Sequence, residues 1–134
     1  ARRWQHAPAG AAPDAIARLL DESGLPLPPA YLVTLRWSDG PTGELPSLPY
    51  RFQLWPAAQV MEQNAGYELA RWVPGFFGIG SSGGGELIAF DTRQAPPWPV
   101  CAIPWIPLDE QDMLVIAPDF MAFLALTGQA GVDG

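Results

Sequence analysis

The stretch Phe76-Phe77-Gly78-Ile79-Gly80-Ser81-Ser82-Gly83-Gly84-Gly85-Glu86-Leu87-Ile88-Ala89-Phe90-Asp91 decides how the rest of this 134-residue chain is read. Two apolar runs flank a five-residue segment of serine and glycine. Runs rich in Phe, Ile and Leu suit strands, and a glycine linker with permissive backbone lets such strands fold back as a hairpin. The same letters satisfy the dinucleotide fingerprint G-x-G-x-x-G over residues 78–83, whose glycines let a pyrophosphate approach a helix N-terminus. That fingerprint needs a helix directly afterwards, whereas Gly84 and Gly85 lead into the strand-like Glu86–Asp91. No Gly-Lys-Ser/Thr occurs anywhere, so a P-loop is excluded as well. The segment therefore reads as sheet and turn.

Working outward, Tyr50-Arg51-Phe52-Gln53-Leu54 alternates apolar with polar residues, which predicts a half-buried strand with Tyr50, Phe52 and Leu54 inside. Residues 100–105 form a further strand, and Pro104 places it at an edge or near its end. Ile16, Leu19 and Leu20 share a helical face between Asp14 and the stop signal Gly24. Tyr31, Leu32 and Leu35 do the same after Pro28 and Pro29, up to Asp39-Gly40-Pro41. Pro56 suits the first position of a third helix with a weak stripe of Ala57, Val60, Met61 and Ala65. A C-terminal helix opens at Pro118 and Asp119, presents Phe120, Phe123 and Leu124, and closes at Gly128. Residues 41–49 and 94–99 are Pro-rich connections. The pattern predicts an α+β fold: a mostly antiparallel sheet of about four to six strands flanked by N-terminal and C-terminal helices. A single domain is expected over residues 13–128, with a flexible arm at 1–12 and a tail at 129–134.

Composition narrows the function. The 14 acidic and seven basic residues give a net charge of -7, and an acidic surface repels phosphate backbones, so direct nucleic-acid binding is disfavoured. The same field speeds encounter with a basic protein. All seven basic residues are Arg, a bias of GC-rich bacterial coding. The lone Cys101 lies in an apolar run and leaves no internal disulfide, which is compatible with a reducing cytoplasm, and no run is apolar enough for a membrane span.

Few residues suit catalysis. The single His6 falls in the arm, far along the chain from Cys101, so no nucleophile has a base beside it, and zinc would need more Cys or His. Asp109-Glu110-Gln111-Asp112 is the one acidic cluster, without the glycine of a calcium loop, and reads as a solvated turn. Glu62, Glu68, Glu86 and Asp91 are separated along the chain, with nothing to pair any two as acid and base. Glu86 at the hairpin mouth either presents its charge to a partner or fixes the turn. Trp55, Trp72, Trp98 and Trp105 are candidate interface anchors, and Trp98, between Pro97 and Pro99, is the one expected to be exposed. The candidate partner-binding set is Glu86, Asp91, Trp98, Asp109, Glu110 and Asp112.

Leu27-Pro28 to Tyr31 and Leu35, then Asn64-Ala65-Gly66-Tyr67, then the glycine run with Glu86-Leu87 and Phe90-Asp91, resemble the SUKH superfamily. That superfamily includes fungal cell-wall-synthesis regulators of the Smi/Knr type and many bacterial immunity proteins. Residues 99–105, Ile116-Ala117, Phe120 and Phe123-Leu124 look like its closing elements, so that the resemblance spans about residues 14–127. It implies an α+β binding domain with no catalytic residues and no cofactor. It also implies an immunity protein whose partner is a cognate toxin; the net charge favours a basic toxin and no direct contact to nucleic acid, and Cys101 with the lack of an apolar span predicts a cytoplasmic location without membrane contact. The alternative within the same fold is a regulatory or scaffolding domain with a non-toxin partner. The Pro-rich loop 41–49 and Ala95-Pro96-Pro97-Trp98 have no counterpart in the resemblance.

Overall fold

The structure, a computed structural model, describes residues 4–129, with side chains over residues 7–127. Its order is β1 (Trp4–His6), α1 (Pro13–Ser23), α2 (Pro29–Trp37), β2 (Thr42–Glu44), β3 (Arg51–Leu54), α3 (Ala57–Gly66), α4 (Leu69–Trp72), β4 (Phe76–Ser81), β5 (Glu86–Asp91), β6 (Val100–Pro104), β7 (Leu114–Ala117) and α5 (Phe120–Gln129). The strands form one seven-stranded sheet in the order β1 to β7, and every neighbouring pair is antiparallel. The fold is α+β, as the sequence predicts.

Local chemistry explains the elements that were legible. Gly24 ends α1 in the left-handed region at φ 64°, donating its N–H to the Leu20 carbonyl. Asp119 caps α5, its Oδ1 accepting from the Ala122 N–H at 2.8 Å. Three features depart from expectation. Residues 4–6, placed by the sequence in a flexible arm, pair with β2 as an edge strand. Residues 42–44, read as loop, form β2 against β3. At three residues each, β1 and β2 are too short to carry an alternating pattern, and they raise the strand count above the four to six expected. Tyr50 is not on the buried face of β3. It lies at φ 70° in the preceding turn, donates its N–H to Ser47 and accepts from the Leu45 N–H, and its ring is exposed.

Side chains alternate across β5, so Ile88 and Phe90 point to one face of the sheet and Leu87 and Ala89 to the other. The Phe90 face is closed by α2 and α5. Tyr31 meets Phe90 edge-on at 5.4 Å between centroids and Phe120 at 5.5 Å, while Phe123 packs on Phe52 at 5.2 Å. Burial pushes the Tyr31 phenol well above its ordinary pKa. The Leu87 face is covered at its centre by Leu69 of α4 and by Trp55, both crowded round Gly78. Cys101 is fully buried, and that burial pushes its thiol up to about 12, which keeps it neutral.

Candidate functional site

The glycine segment is a turn. Ser81 pairs with Leu87 across β4 and β5, and no helix follows Gly85. Ser82 fixes the turn from inside: its buried hydroxyl accepts from the Gly84 and Glu86 N–H groups and donates to Glu86 Oε1 at 2.6 Å. Gly83 takes φ 78°, which glycine adopts without a steric penalty. Gly80 answers a different need, because a Cβ there would run into the Gln53 carbonyl of β3. The fingerprint glycines thus serve strand packing and a turn, and Glu86 serves the turn as well.

Past Leu54, the β3 chain turns into α3 and leaves Gly78 of β4 without a strand partner on that side. Asn64 fills the gap. Its Oδ1 accepts from the Gly78 N–H at 2.8 Å and its Nδ2 donates to the Gly78 carbonyl at 2.9 Å, so a side-chain amide imitates a neighbouring strand. A further bond from Nδ2 to the Val60 carbonyl ties this clamp into α3. The C-terminal end of α3 is thereby fixed over the Leu87 face, and Tyr67 follows directly.

Tyr67 completes an aromatic platform. Its ring stacks on Trp55 at 6.3 Å with 15° between planes, and meets Trp105 tilted by 34° at 4.4 Å. Trp105 is held by its N–H, which donates to the Gly85 carbonyl at 2.8 Å across from the hairpin. These rings line a groove of about 1100 Å³ together with Trp72, Gly83, Gly84, Ile106, Leu108, Asp109 and Glu110. Trp72 is 52% exposed and Ile106 91%, so the apolar surface is open to a partner. Arg71 lies over the Trp72 ring at 4.7 Å and pairs with Glu68.

The candidate set divides. Asp109 and Glu110 reach the groove. Asp91 does not: Arg93 grips it at 2.9 Å, bridges to Glu110 at 3.2 Å and covers the Phe76 ring. The hydrogen bonds from Arg93 hold the Asp91 carboxyl below the usual carboxylate range. Asp112 is exposed on the 3-10 turn Glu110–Asp112 and does not line the groove. Trp98 overturns its expectation of exposure. It is only 3% exposed, packs on Phe90, and satisfies its indole by donating to the Gln94 carbonyl at 3.0 Å. A Pro-rich loop can bury an indole when the loop itself supplies the acceptor. Trp55, Trp72 and Trp105 do converge, whereas Tyr67 and Ile106 were not marked by sequence as surface. Among the described residues no group of three or more His, Cys, Asp or Glu could hold a metal ion. No described helix is long and apolar enough to cross a membrane.

A meander sheet with helices on both faces and an aromatic groove beside the β4–β5 turn defines an α+β domain. Its family is shown by sequence: the chain belongs to the SMI1 / KNR4 family (SUKH-1), whose model matches residues 10–126. No curated protein sequence matches the chain.

Proposed function

We propose that this chain is a non-enzymatic, cytoplasmic immunity protein that binds a cognate bacterial toxin through the aromatic groove. The observation that supports it best is the groove in which Tyr67, stacked on buried Trp55 and set against Trp105, stays exposed beside Trp72 and Ile106. Aromatic anchors that enter a partner's pockets, or receive its side chains, dominate binding energy at protein interfaces. Family membership supports a protein-binding role, and the charge of -7 with Asp109 and Glu110 in the groove lining favours a basic partner. In this reading the domain acts by occupying a surface the toxin needs. Glu86 and Asp91 act indirectly, by fixing the turn and by holding Arg93.

The test is co-expression with the toxin candidate encoded beside this gene. Growth should be restored by the wild-type chain and lost again with Trp72→Ala combined with Trp105→Ala. Killing that continues unchanged beside the wild-type protein rules out toxin neutralisation and leaves the regulatory alternative.

A further inference from the structure

The meander has two edges, and one carries no protection of the usual kind. β7 ends the strand order and, among the described residues, pairs only with β6. Its sequence Leu114-Val115-Ile116-Ala117 has no charge and no proline, and Leu114 and Val115 are 42% and 50% exposed. Sheet edges are ordinarily blunted by charged side chains, proline or a covering segment, because free N–H and C=O groups recruit any strand that fits. Met113 before it is also extended, at φ -65° and ψ 134°.

The ends of the edge select the occupant. Asp112 stands exposed before the strand, and Asp119 follows it after Pro118, partly exposed, with Oδ1 taken by the Ala122 N–H and Oδ2 left for a partner. Two copies joined β7 to β7 about a two-fold axis would bring Asp112 of each beside Asp119 of the other, so like charges oppose self-pairing. A strand with basic residues at both ends meets an acid at each end in either direction.

We propose that β7 docks an extended segment of a partner protein, apolar along its length and basic at both ends, added to the sheet as a further strand. Main-chain hydrogen bonds would supply the affinity and the acidic ends the selectivity. This rests on the reading of the chain as a protein-binding module, though not on the partner's being a toxin.

Two synthetic peptides of alternating valine and threonine test it, one with arginine at both ends and one with glutamate. Added to the full chain, the arginine peptide should slow amide hydrogen exchange within residues 114–117 by about tenfold or more, and the glutamate peptide should not. Val115→Lys should weaken the arginine peptide about tenfold, whereas Val115→Thr, which keeps a β-branched side chain, should bind within about threefold of wild type. Thermal melting confirms that both variants fold. The proposal is overturned by equal binding of both peptides, by binding of neither, by protection confined to Tyr67 and Trp105, or by protection of β7 that grows with protein concentration alone. Toxin killing plays no part in these readouts, and failure of both peptides leaves the groove reading standing.

Discussion

The Phe90 face of the sheet and the groove beside the β4–β5 turn hold similar aromatic content and end in opposite states. On the Phe90 face, Tyr31, Phe52, Phe120 and Phe123 are buried because α2 and α5 lie across them. On the Leu87 face, Leu87, Ala89, Cys101 and Ile103 are fully buried as well, whereas in the groove beyond them Tyr67, Trp72 and Ile106 stay exposed. Residue type does not distinguish a core ring from an interface ring. Coverage by a second layer does, and the layer is set by which helices the connections can bring across.

The contrast is broken most directly by truncating one ring in each region. Phe90→Ala should cost about 3–5 kcal/mol in chemical denaturation, because it opens a cavity among packed rings. Trp105→Ala should cost no more than about 1 kcal/mol, as expected of a partly covered surface ring. Equal losses would mean that the groove is core. Next in size is Asn64→Ala, which strands the Gly78 N–H and carbonyl and should destabilise by about 1–3 kcal/mol. It should also loosen Tyr67, which shows as faster amide exchange there than in α5.

The acid limb of stability sharpens the Leu87 side. The Asp91 pKa is lowered in the folded chain, so its contribution is complete above the unfolded value near ~3.9 and is lost as pH falls through the folded one. Asp91→Asn should therefore flatten the stability profile in that acid window and leave its slope at neutral pH unchanged. The smallest effect belongs to Tyr31→Phe. The Tyr31 hydroxyl is buried without a hydrogen-bond partner among the described residues, so its removal should change unfolding free energy by less than about 1 kcal/mol, or stabilise. A loss of several kcal/mol would show a bond the geometry lacks.

Much of this architecture could be read before any coordinates. Gly24, Pro28, Pro118 and Asp119 mark helix ends through backbone chemistry that operates within a few residues, and the Ser/Gly turn between Phe- and Leu-rich runs needs no distant partner. What could not be read depends on contacts between distant segments. Thr42-Gly43-Glu44 is a strand only because β3 lies beside it. Trp98 looked exposed from its prolines and is buried because Phe90 and the Gln94 carbonyl accept it. Tyr67 stood in a visible Asn-Ala-Gly-Tyr motif, yet its place between Trp55 and Trp105 follows from the Asn64 clamp, which spacing alone does not reveal. The acids fared similarly: the place of Asp109 and Glu110 in the groove depends on how the connection after β6 folds back toward the hairpin.

The account rests on the aromatic groove being the surface that meets the partner. Calorimetric titration of the protein encoded beside this gene against wild type and against the Trp72→Ala, Trp105→Ala double variant tests it directly. Affinity should fall at least about tenfold in the variant while its fold persists, since central aromatic anchors each contribute on the order of 2 kcal/mol. Undiminished affinity in a folded double variant would contradict it.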